Sequence, residues 1–456
     1  MRSIIKNGLV INATGRQEAD VLVKDGKIVA VGKGLDASGA EVVDASGCYV
    51  FPGFIDPHTH FDLDLGVTVT ADNFVTGTKA AVLGGTTTIL DFATPVRGGT
   101  LKAALDEWHE KARGSSCNYG FHMALAEWNE AISREMDEMT TAGVTSYKMY
   151  MVYPALRVND GEIYLAMQRG RDIGALISMH CENYHVLNAK IAEQKAAGNL
   201  SPAAHPLSRP AEVEAEAVGR YLRLAEMAGA KAYVVHLSTG EGLEEARRAR
   251  ARGQEVYLET CPQYLVLDSS RYGAPDAAKY VMSPPLRTKK DQEMLFDGLA
   301  GDEIDTVGTD HCSFTMAQKA LGKDDFTKIP NGGAGVQNRA TLYYTYGVLP
   351  GKLTLEQMAA ELSANAAKLF GMYPNKGVVA QGADADLVIW NPRHEETISY
   401  KTLAHNCDNS PYEGFHVQGQ ARDVLVNGAW AVKDGTVVKT GLGKYVSRSL
   451  CQGYRK

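Results

Sequence analysis

The first fifty residues alternate short β-type runs with turn signals. SIIKNGLVIN, ADVLVKDGKIVAVG and EVVDASGCYVF carry the apolar runs, and Lys24-Asp25-Gly26 reads as a hairpin turn of the Asp-Gly kind. The same texture returns after about residue 375, in ADADLVIW and ARDVLVNGAWAVKDGTVV, with a second Lys-Asp-Gly at 433–435. Each set is too small to close a core alone, so the two chain ends are expected to pair into one small β-sandwich.

Between them the period changes. Eight β-type runs occur at 53–60, 86–92, 119–125, 146–151, 176–181, 232–238, 255–261 and 305–311. They are separated by stretches such as LKAALDEWHEKAR, AEVEAEAVGRYLRLAEMAG and GLEEARRARARG, whose Leu and Ala spacing leaves one charged face of a helix. This alternation predicts a parallel sheet of βα units, and eight is the number of strands that closes a (β/α)₈ barrel. An open, doubly wound sheet would show the same alternation. The expected organisation is an α/β chain with the N-terminal part of a β-sandwich at 1–51, the barrel at 52–374, the C-terminal part of the sandwich at 375–442 and a C-terminal arm at 443–456.

Composition narrows the class. The 456 residues are 45% apolar and 22% charged with 46 glycines, which suits a soluble globular enzyme with a large core and many turns and argues against disorder. A net charge of −7 without any block of like charge argues against a nucleic-acid partner. No apolar run reaches the roughly 18 residues a membrane helix needs. The N-terminal run, broken by Lys6 and Asn7, reads as a strand and not a signal peptide. Cys48, Cys117, Cys181, Cys261, Cys312, Cys407 and Cys451 are scattered and never form a C-x-x-C pair, which points to a reducing cytoplasm.

Polar residues collect where the predicted strands end. His58 and His60 close the first, Lys148 lies in the fourth, His180 ends the fifth, His236 nears the end of the sixth and Asp310 ends the eighth. In a barrel, strand C-termini form the rim that carries chemistry. His-x-His on a strand puts both imidazoles on one face, and imidazole and carboxylate together suit zinc and similar cations. Lys148, flanked by Tyr147, Met149 and Tyr150, is an ammonium in an apolar setting; burial would lower its pKa and free an amine able to add carbon dioxide as a carbamate. Taken singly, His180 and His236 equally read as hydrogen-bonded core histidines, Asp310 as a helix cap, and Lys148 as a buried stem with its head on an acidic partner. His311 is expected to face the other side of its strand.

An ordered series of segments then resembles the hydantoinase and dihydropyrimidinase family of cyclic amidohydrolases over nearly the whole chain: FPGFIDPHTHFD, GGTTTILDF, SYKMYMVY, MHCEN, HPLSRPAEVEAEAV, VVHLSTGEGLEE, ETCPQYL, MSPPLR, TDHCSF, IPNGGAGVQNR and NSPYEGF. The resemblance implies two divalent cations, zinc or else manganese. One would be held by His58, His60 and Asp310, the other by His180 and His236, with Lys148 as a carboxylated lysine bridging them. It further implies Tyr153 as an oxyanion donor, and Ser283 and Asn331 as positions whose backbone groups hold the substrate's imide. The IPNGGAGVQNR loop departs from the more acidic, Pro-containing loop of many relatives.

The implied reaction is hydrolysis of a cyclic amide by hydroxide supplied from the two cations, with Asp310 acting as base and then acid. Leu65, Tyr150 and Tyr153 are candidates for the wall that meets the ring substituent, and such a wall would accept a bulky apolar group. This favours a D-type hydantoinase with overlapping dihydropyrimidinase activity, acting on 5-substituted hydantoins or 5,6-dihydropyrimidines. The alternatives are an allantoinase or dihydroorotase, or a non-catalytic scaffold on the same fold, whose members have lost metal ligands. The resemblance also implies a homotetramer, with the GLGKYVSRSL segment as an arm on a neighbouring subunit.

Overall fold

Both Lys-Asp-Gly segments fold as the tight turns their chemistry requires. Asp25 and Gly26 have φ of 50° and 81°, and Asp434 and Gly435 have 47° and 70°, the left-handed pair that suits the twist of a hairpin. In the computed structural model, which describes residues 2–454, the first turn joins Gly15–Lys24 to Lys27–Gly32 and the second joins Ala429–Lys433 to Thr436–Val437. The two chain ends meet where Tyr49–Pro52 pairs antiparallel with Leu387–Trp390. One continuous nine-stranded sheet results. It wraps a core of its own, in which Ile5, Val21 and Val50 from one end pack with Leu387, Leu425 and Trp430 from the other. Neither end could bury these residues without its distant partner.

The central part forms an eight-stranded, all-parallel sheet in sequential order. Its strands are Phe54–Thr59, Thr86–Ala93, Asn118–Ala124, Ser146–Tyr150, Leu176–His180, Ala232–Val234, Val256–Thr260 and Thr306–Val307. The sheet closes through a parallel bridge between Thr59 and His311. Below that bridge the fully buried Arg339 donates to Ile55 O (2.7 Å) and Val307 O (2.9 Å), tying the first strand to the last. The predicted helices are present, among them Leu101–Lys111, Ala211–Ala228 and Gly240–Ala251.

The sixth and eighth strands are much shorter than their apolar runs. His236 and Asp310, just beyond their ends, have φ of 41° and 52°, a left-handed backbone that breaks the ladder. Both are residues expected to carry chemistry, and strained backbone of this kind concentrates at functional sites.

The C-terminal segment, expected as an arm, lies across the bottom of its own barrel. Tyr119 N donates to Lys444 O and Val446 N to Tyr119 O (3.0 and 2.8 Å), while Arg448 N and Ser449 N reach Gly143 O and Gly371 O. The buried Arg448 guanidinium donates to Ser146 Oγ at 2.8 Å and to Phe121 O. The barrel's own strand starts offer unpaired backbone groups, and the arm satisfies them within the same chain.

Candidate metal centre and active site

Strand alternation fixes which residues of the fourth strand enter the barrel. Tyr147 points outward, its hydroxyl donating to Met136 O in the helix Glu130–Thr141, so Lys148 points inward. Its Nζ lies 3.1 Å from His58 Nε2 and 4.6 Å from the Phe92 ring centroid. His58 Nε2 and His60 Nε2 each lie 3.2 Å from Asp310 Oδ1. The His180 and His236 ring centroids are 4.5 Å apart, and that of His236 is 5.4 Å from His58. The six residues therefore converge on one cluster.

Burial sets the charge of His236, His60 and Lys148, while at His58 it is outweighed by Glu259 and Asp310, which raise that ring. Burial pulls His236 well below the ordinary histidine range, His60 to about 4 and Lys148 to about 8, leaving imidazole lone pairs and a readily neutralised amine. Burial acts the other way on Asp310, but His58 and His60 outweigh it and hold the carboxyl well below its usual range. Among the described residues, neither ring nitrogen of the buried His236 has a hydrogen-bond partner. Leaving such a group unsatisfied costs about 1–3 kcal/mol. A divalent cation would remove that cost, and donors of imidazole and carboxylate suit zinc-like ions, so the residues present fit a metal centre. His58, His60 and Asp310 alone place three ligand atoms within 4.8 Å of one another.

Around these groups lies a second layer that sequence reasoning did not single out. Glu259 accepts from His58 Nδ1 (2.5 Å), the Tyr233 hydroxyl (2.9 Å) and His236 N (3.1 Å). Glu182, held by Arg209 at 2.6 Å, accepts from His180 Nε2 at 2.7 Å and so leaves Nδ1 of that ring for a cation. Phe92 stacks on His60 with centroids 4.9 Å apart and forms an apolar floor. A signal for Glu259 existed, since a lone acid in the apolar strand VYLET needs a buried partner. None existed for Phe92.

His311 faces away from the cluster, as expected. Its Nε2 lies 3.1 Å from Asp72 Oδ2, and its Nδ1 accepts from Gly335 N and Val336 N, so it holds the 330–336 loop in place.

The other predicted site residues fall into two groups. Tyr153, at φ 69°, brings its ring within 5.2 Å of His180 and 6.1 Å of Tyr150. Ser283 is buried with its hydroxyl beside the Tyr153 phenol. Tyr150 packs over Lys148, with 5.1 Å from Nζ to its ring centroid. Asn331 is half-buried in the loop whose glycines line one small cavity with Asp310. Leu65 stands apart from the buried cluster, 42% exposed on a loop closed by Leu65 N to Thr68 O.

Residues 49–431 match the amidohydrolase family. The chain belongs to that family. This amidohydrolase is 45% identical to a D-hydantoinase of Geobacillus stearothermophilus, over 98% of this chain and 97% of that protein. It is 43% identical to a D-phenylhydantoinase of Escherichia coli O1:K1 / APEC, over 98% of each. Among solved structures, the dihydropyrimidinase from Brevibacillus agri NCHU1002 superposes with a TM-score of 0.97 at 45% identity, over 99% of both chains. Among the described residues no helix of the amidohydrolase is long and apolar enough to cross a membrane.

Proposed function

We propose that this amidohydrolase opens cyclic amides, 5-substituted hydantoins and 5,6-dihydropyrimidines, to N-carbamoyl amino acids. The observation that carries the reading is the convergence of four imidazoles, Lys148 and Asp310 on one buried cluster, with both nitrogens of His236 unpartnered among the described residues. The hydantoinase and dihydropyrimidinase names of the full-length relatives support the substrate class.

His58, His60 and Asp310 would hold one cation, and His180 and His236 a second. Lys148, carboxylated at Nζ, would serve both. Zinc is the proposed metal, with manganese the alternative. When bound, the pair supplies Lewis acidity and a water acidic enough to give hydroxide at neutral pH.

The chain's own groups do the rest. Asp310 turns Oδ1 to the two histidines, which leaves Oδ2 to take a proton from the attacking water and return it to the leaving ring nitrogen. Burial keeps the Tyr153 phenol protonated, so its hydroxyl can donate to the oxyanion that develops on the attacked carbonyl. Backbone groups at Ser283 and Asn331 orient the ring. Phe92 and Tyr150 keep the surroundings apolar, which strengthens each of these interactions. Tyr150 and Tyr153 face the ring substituent in this reading; Leu65, the third candidate, stands apart from them.

Turnover of dihydrouracil, a 5-aryl hydantoin, allantoin and dihydroorotate by metal-replete enzyme tests the proposal. The first two are expected to react best, and allantoin as the preferred substrate would overturn it. A homotetramer in the cytoplasm completes the proposal. Size-exclusion chromatography of the same preparation is expected to give four times the chain mass, and a monomer would refute that part.

A further inference from the structure

Lys319 ends the short helix Met316–Lys319 and is 1% exposed. Among the described residues no carboxylate pairs with it, and the thiols beside it, Cys312 and Cys407, are kept neutral by burial. Burial lowers its amine to about 7, against which three surrounding backbone carbonyls favour the protonated form by accepting from its three donors. Here all three are used on backbone oxygens of two separate segments: Val281 O at 2.9 Å, Pro330 O at 2.7 Å and Gly332 O at 2.7 Å. Gly332 N adds a direct bond to Val281 O at 3.0 Å.

Those segments are the ones that carry Ser283 and Asn331. A peptide unit is planar with its C=O and N–H antiparallel. Holding Pro330 O therefore fixes the direction of Asn331 N–H, and holding Gly332 N fixes that of Asn331 C=O. Both peptides around Asn331 are set by a single cation and the carbonyl it shares. On the other segment, Met282 O lies 2.8 Å from His205 Nε2, which fixes the N–H of Ser283 in the same way. The loop has little freedom to compensate: a Cβ on Gly332, at φ 139°, would lie 2.3 Å from Cys312 O, two residues past Asp310.

We propose that Lys319 is a positioning residue for the reaction: one buried ammonium clamps the Val281–Ser283 and Pro330–Gly332 segments together, so that their backbone donors and acceptors meet a cyclic amide edge ready-made. The inference rests on the proposed reading that these two segments orient the ring. It gives a reason for a buried lysine with no anionic partner, since three carbonyls supply what a carboxylate otherwise would.

The test compares Lys319→Met, which keeps the stem and removes every donor, and Lys319→Gln, which keeps two N–H donors, with unmutated enzyme. KM and kcat for dihydrouracil are read alongside metal content and thermal midpoint, well below the midpoint of each variant. KM is expected to rise at least tenfold in the Met variant and less in the Gln variant. Metal content should match the unmutated enzyme and kcat should stay within about threefold, because lost ring orientation removes binding shared by ground and transition states. A purely structural lysine would lower the midpoint and leave KM alone, and that result overturns the proposal. Where the Met variant gives no soluble protein, the Gln variant carries the same comparison. Unmutated enzyme that opened neither hydantoins nor dihydrouracil would defeat the substrate reading instead; the clamp would then stand or fall on the variants' KM for whichever cyclic amide it does open.

Discussion

An amine that is 1% exposed, 3.1 Å from an imidazole and beside a phenyl ring holds a positive charge only at a cost. The proposed conversion to a carbamate would change its sign and give the four histidines an anion to work with. Lys148→Ala is therefore expected to lose bound metal, measured per chain by elemental analysis, and to lower kcat by about a thousandfold, the scale on which removal of a key catalytic group acts. Added acetate or propionate should restore part of both, and full activity in the unrescued variant would remove the carbamate from the mechanism. The six residues of this centre were legible in the sequence because each combined an ionisable group with an apolar strand. Glu259 was equally legible in principle. Phe92 and Lys319 were not, for one is an apolar residue in an apolar strand and the other a lysine in a polar stretch, QKALGK, where solvent is the ordinary partner. Only the fold shows that the three carbonyls reach Lys319.

Among the elements, all eight parallel strands lie within or beside the runs that alternation marked, but their lengths do not follow apolar content. The run at 232–238 yields a strand of three residues and that at 305–311 one of two, because His236 and Asp310 take left-handed backbone and turn their side chains into the cluster. Periodicity registers side-chain burial and is blind to φ. The C-terminal arm was legible as a segment, but its contacts with its own barrel were not, because they depend on backbone groups at the foot of strands far away in sequence. Its docking can be tested at Gly371. This residue has φ 69°, and a Cβ there would lie 1.9 Å from Ser449 O, a backbone atom of the arm. Gly371→Ala pays about 1–2 kcal/mol for the left-handed conformation alone, and the arm must also shift. A lower thermal midpoint and new protease cleavage within 443–454 are the expected outcomes, and an unchanged midpoint would show that the arm contributes little to stability.

At the scale of the whole molecule, the barrel closes beside its proposed metal centre. The bridge between Thr59 and His311, together with His60 N to His311 O at 2.8 Å, joins the first and last strands between the residues proposed to hold one cation. His58 and His60 come from one side of this seam and Asp310 from the other, so a cation bound there is also a staple across the closure. Metal then adds to stability by mass action, since the unfolded chain cannot hold these ligands in place: at a free cation concentration of a hundred times Kd the gain is about 2.7 kcal/mol. Dialysis against a chelator is expected to abolish hydrolysis of dihydrouracil and to lower the thermal midpoint together. Zinc or manganese should restore both, and the midpoint should rise with cation concentration until the sites fill. Two cations sharing one carbamate would bind cooperatively, so a titration of the stripped enzyme should show activity appearing with the second equivalent. Activity that survives the chelator, with no metal detected, would end the account of a centre that both closes the barrel and performs the reaction.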